Sequence, residues 1–72
     1  MMDGPFTITE NCGEAEDAAR ALAAFHGEAF TVWRRGDRFI AVTEHVDPEP
    51  FIPGEGPVRP VETIDPRGVV HA

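Results

Sequence analysis

Four kinds of group in this 72-residue chain could do chemistry: one thiol, three imidazoles, two gatherings of carboxylates and one arginine cluster. The thiol is Cys12 and the imidazoles are His26, His45 and His71, each far from the next in sequence. Zinc sites need cysteine and histidine at short, fixed separations, and none occur here. Calcium loops need denser carboxylates, a glycine hinge and a closing glutamate, which are also missing. There is no Gly-x-Ser-x-Gly, no phosphate-binding glycine loop, no Cys-x-x-Cys and no His-Glu-x-x-His, and the chain contains no serine, lysine or tyrosine. The residues therefore read as those of a protein that is not an enzyme and takes no cofactor and no metal. Binding to a protein partner is the chemistry that remains.

The groups available for binding fall into three sets. Glu10, Glu14, Glu16 and Asp17 surround a helix start, where the helix dipole alone accounts for negative charge. Asp47 and Glu49 form a second acidic patch on the stiff Asp47-Pro48-Glu49-Pro50 segment, and together the two patches could imitate a line of phosphates before a basic groove. Arg34, Arg35 and Arg38 cluster at a hairpin tip, either as a solvated turn or as a contact for phosphate or an acidic surface. Arg35-Gly36-Asp37 also spells the tripeptide that integrins recognise, but a Gly-Asp turn between arginines explains it without adhesion. Thirteen acids against six arginines give a net charge of −7. Direct nucleic-acid or anionic-membrane binding is not expected from that balance, whereas attraction to a basic surface is.

The elements that position these groups follow from pattern. Phe6-Thr7-Ile8-Thr9 alternates as a short strand. Asn11 can cap a helix over 13–26, with Glu14 reaching back as in a capping box and Gly27 as the stop. Ala15, Ala18, Ala19, Leu22, Phe25 and His26 form its sheet-facing stripe, and Glu16 and Arg20 sit on the opposite side. A hairpin follows over 29–44, with Gly36 suited to a type II′ turn and Arg35 facing Arg38. That register puts Phe30, Val32, Phe39 and Ala41 on one face and Thr31, Trp33, Ile40 and Val42 on the other. One helix can cover only one of these faces. The second must be covered by the C-terminal segment folding back or by another molecule, and a homodimer through Trp33, Ile40 and Val42 is the expectation.

Residues 47–72, which hold six of the seven prolines, complete the single domain as a strap and tail on the 1–46 β-α-β-β core. The fold class is α+β, one helix on a small antiparallel sheet. An edge strand is possible within 57–64, and the tail from Asp65 onward is expected to be partly disordered. No apolar run is long enough for a membrane span and no signal pattern opens the chain, so the expected setting is the cytoplasm of a bacterial host. A lone thiol agrees with a reducing compartment, an intermolecular disulfide through Cys12 being the alternative.

Strand, alanine-rich helix, glycine stop and aromatic hairpin over about Phe6 to Val46 is an order similar to that of small phage-encoded anti-CRISPR proteins directed at type I effector complexes. The resemblance rests on size, acidity and element order. It implies binding to such a complex and blocking of its DNA-binding surface, and it transfers no individual residue role. The alternative is a dimeric regulatory or interaction module of a larger bacterial enzyme complex.

Overall fold

The computed structural model describes residues 8–71, so Phe6 and Thr7 of the expected first strand lie outside the described residues. The elements are β1 (Ile8–Thr9), α1 (Cys12–His26), β2 (Phe30–Arg35), β3 (Arg38–Thr43), β4 (Arg59–Ile64) and β5 (Val70–His71). They form one antiparallel sheet of strand order β1-β3-β2-β4-β5 with α1 on one side. The α+β architecture agrees with the sequence pattern. The segment within 57–64 is indeed a strand, but it lies between β2 and β5 rather than at an edge.

Asn11 caps α1, its side chain accepting the Glu14 N–H at 3.0 Å. Glu14 does not complete the capping box directly. Its carboxylate accepts the Thr9 hydroxyl at 2.8 Å, and the Thr9 oxygen in turn accepts the Asn11 N–H at 3.1 Å, so the threonine relays the second half of the motif. Gly27 ends the helix at φ 70°, a left-handed conformation that glycine adopts without cost.

The buried helix line is Ala15, Ala19 and Ala23, flanked by Leu22. Phe25 is 84% exposed and His26 is also exposed, against the expectation that both face the sheet. Two residues beyond Ala23 the helix has turned through about 200°, which carries Phe25 to the far side. Phe30, at the start of β2, takes the buried aromatic position instead.

The hairpin pairs Arg35 with Arg38, Trp33 with Ile40 and Thr31 with Val42. Gly36 has φ 61° while Asp37, like every described non-glycine residue, avoids positive φ, the combination of a type II′ turn. Phe30, Val32 and Ala41 pack with Ile64 under the helix alanines, with Phe39 and Val61 at the margin. The register breaks once between Val32 and Trp33, where β4 carries an extra residue next to Pro60. A bulge there suits a proline, which has no N–H to give a ladder.

Ile40 and Val42 on the other face pack with Ile52, surrounded by Trp33, Val46 and Val58. The segment between β3 and β4 therefore folds back as the strap and seals this face from within the chain. Ile40 and Val42 keep no exposed surface, so of the residues of the expected homodimer contact only Trp33 is partly exposed. Sequence pattern left both covers open, and the strap is the one observed.

The tail is ordered by one carboxylate, contrary to the expected disorder from Asp65. Asp65 accepts the N–H groups of Arg67 (2.9 Å) and Val69 (3.0 Å) and contacts His71 Nε2 at 3.2 Å. Backbone bonds from Asp65 N–H to the Val69 carbonyl and from Gly68 N–H to the Asp65 carbonyl close the turn that returns β5 to β4.

Candidate functional site

Most of the acids expected to meet a partner are engaged inside the chain. Glu14 holds Thr9, and Asp17 pairs with Arg20 at 3.4 Å across one helical turn. Asp47 accepts the Glu49 N–H at 3.0 Å, which bends the strap as an Asx turn. Glu49 pairs with Arg35 at 2.9 Å. Of the expected acidic set only Glu10 is exposed with no hydrogen bond or ion pair to a described residue.

The arginine cluster divides as well. Arg35 is only 11% exposed and works inward, donating from Nε to the Gly56 carbonyl (3.1 Å), from one terminal nitrogen to the Ile52 carbonyl (2.7 Å) and from the other to Glu49. Its role is to latch the strap, not to meet a partner. Gly54 lies against this latch with φ 124°, and a Cβ there would stand 3.3 Å from the Arg35 side chain. Turning Arg35 into the strap also separates it from Arg38, directly opposite in the ladder, where two like charges would repel. Arg34 donates to the Gly36 carbonyl at 2.7 Å and remains exposed, as does Arg38. Arg59 on β4 stands opposite Arg34, so the hairpin tip carries three exposed arginines, one of them not expected from the local cluster.

The opposite end of the sheet is acidic. Pairing of Phe30 with Thr43 brings Glu28, just before β2, and Glu44, just after β3, to the same end, and both are exposed. Neither forms an ion pair with a described residue. Charge is only partly sorted along the strand direction: Asp37 and Glu49 lie at the arginine tip, and the exposed Arg67, in the turn after β4, lies at the acidic end paired with Asp65.

A third grouping lies where α1 meets β4. Glu62 is the cross-strand partner of Val32, which puts it on the helix-covered face, and its Oε2 is buried with no hydrogen-bond partner among the described residues. Burial first, then the neighbouring Glu16 carboxyl and its negative charge, push the Glu62 carboxyl above the ordinary glutamate range, while Arg20 pulls it down. Glu16 is half-buried at this seam, not on the outer side of the helix. Cys12 is half-buried beside the two acids, and burial together with Glu16 and Glu62 raises its thiol pKa, with Arg34 opposing. That direction disfavours the thiolate, the form a cysteine nucleophile needs.

Glu62 escaped the sequence reading, although one signal was present: if Ile64 is core, the period of two puts Glu62 on the same face. The imidazoles do not converge. His26 lies edge-on to Phe25 and tilted over Phe30, His71 rests on Asp65, and His45 is exposed. No cluster of three potential metal ligands occurs among the described residues, and no described helix is long and apolar enough to cross a membrane. The sequence matches no protein-family model, and no curated protein or solved structure matches it.

Proposed function

We propose that this chain is a non-catalytic binding protein that docks its acidic end on a basic protein surface. The observation that carries this reading is a pair of exposed carboxylates, Glu28 and Glu44, at one end of the sheet with no described cation paired to them, in a chain of net charge −7. Such an end attracts a cationic groove from a distance and competes with nucleic acid for it. The partner that the sequence resemblance suggests is a type I CRISPR effector complex inside a bacterial cell, whose DNA-receiving surface the chain would occupy.

The test is competition between this protein and duplex DNA for a purified type I effector complex, read at two salt concentrations. The expected result is loss of DNA binding that weakens as salt rises, and a Glu28→Lys, Glu44→Lys double variant that no longer competes. Equal competition by the double variant, or none by the parent protein at low salt, would reject the proposal. The alternative, a dimeric regulatory module, drew its support from an open second sheet face, and the strap occupies that face.

A further inference from the structure

We propose that Glu16 and Glu62 share one proton across the seam between α1 and β4, so that the seam is tight in acid and loosens as that proton leaves. The inference stands apart from the docking surface. It starts from a buried oxygen, Glu62 Oε2, with no hydrogen-bond partner among the described residues. A carboxylate is only an acceptor, and an acceptor taken from water without a donor is destabilising. The polar side chain that meets it is Glu16, another carboxyl group. Two ionised carboxylates cannot hydrogen-bond to each other. One proton converts one of them into a donor and supplies the missing bond, as it does wherever two acids occupy one partly desolvated site.

The other groups around the seam do not replace that proton. From α1, Cys12 contributes a neutral thiol, and Arg20 has its closest nitrogen at Asp17 while its stem runs beside Gly68 of the β4–β5 turn. From β2, Val32 opposite Glu62 is apolar, and Arg34, two residues on, donates from Nε to the Gly36 carbonyl with no hydrogen bond to Glu62. The next acid along the chain, Asp65 just after β4, is held by its own turn.

The sign follows from the direction of the shift. A carboxyl held above its ordinary range when folded stabilises the fold fully below that range, and the contribution is lost as pH rises through the raised folded value. The helix start and β4 should therefore part more readily at neutral pH than in mild acid.

The direct measurement is a carbon-detected titration of the side-chain carboxyls of the intact chain. The expected result is a Glu62 midpoint above the ordinary glutamate range, with the Glu16 carboxyl signal moving in that same step. An ordinary Glu62 midpoint, or a Glu16 signal that does not move with it, would overturn the inference whatever any variant does. Glu62→Gln supplies the hydrogen permanently, so its melting temperature should exceed that of the parent at neutral pH and show no gain in mild acid. Glu16→Gln should behave alike, and the double variant should add little to either. A Glu62→Gln loss of equal size at both pH values would mean that the site packs a carboxylate and shares no proton.

Discussion

The two faces of the sheet are covered by opposite means. On one side a regular helix satisfies its own backbone and presses three alanines against Phe30, Val32 and Ile64. On the other, a strap without regular structure lays Ile52, Val46 and Val58 over Ile40 and Val42. Its prolines have removed N–H donors, so the strap has more carbonyl acceptors than it can satisfy internally. Arg35, with five N–H donors in a rigid fork, makes up the difference by binding the carbonyls of Ile52 and Gly56 and the carboxylate of Glu49. Irregular chain can thus serve as a layer of a fold when one side chain provides the donors its composition lacks. Neither cover is complete, since the Trp33 indole N–H on the strap side and Glu62 Oε2 on the helix side are both buried without a partner among the described residues.

This contrast can be broken most forcefully from the helix side. Phe30→Ala should cost about 3–5 kcal/mol, because it empties the volume on which the helix rests. Denaturant unfolding should show that loss as a shift of the single transition. Arg35→Met should cost less, about 2–3 kcal/mol, from hydrogen bonds to a largely buried charge. It should act locally: amides of 47–56 exchange faster and Trp33 fluorescence moves toward the water-exposed value, while α1 keeps its protection. Equal deprotection of α1 would show the two layers to be one cooperative unit. Arg35→Lys should recover only part of the loss, since an ammonium lacks the planar fork.

A smaller, pH-dependent effect separates the tail turn from both layers. The Val69 N–H first, then His71 and Arg67, hold the Asp65 carboxyl down at about 2 against the opposing effect of burial. A depressed carboxyl contributes stability above the ordinary aspartate range and loses it as pH falls through the folded value. Amide exchange at Val69 and His71 should therefore rise in strong acid, and Asp65→Asn should flatten that dependence. The smallest effect concerns Cys12. Removing the negative charge at Glu62 by Glu62→Gln should lower the thiol pKa and speed its alkylation in mildly alkaline buffer. An unchanged rate would place the thiol outside the influence of the acid pair.

The hairpin register was legible because Gly36-Asp37 and strict alternation allow one pairing that sorts the side chains cleanly. The helix ends were legible from Asn11 and Gly27, whose roles are local. Phe25 misled because an apolar residue near a helix end fits a three-or-four spacing by chance, while the small Ala23 carries no such signal. Glu62 was obscured by the prolines and the bulge that blur the phase of β4. The work of Arg35 leaves little pattern, because two of its three acceptors are main-chain oxygens 17 and 21 residues away, and main-chain oxygens have no residue identity. The acids near Asn11 read as a free surface, although Glu14 is bound to Thr9 and Asp17 to Arg20.

The position of Arg35 beside the two-residue turn also implies a sequence of assembly. Its fork is aimed only after β2 and β3 have zipped, a short-range event, whereas Gly56 must arrive from far along the chain and β4 can add to β2 only behind it. During synthesis, a chain not yet extended past Gly56 leaves Trp33, Ile40 and Val42 uncovered, a sticky intermediate that the finished molecule never displays. Chaperone capture should accordingly peak while the part of the chain already outside the ribosome includes β3 and stops short of Gly56, and a flat profile across those stages would contradict this order.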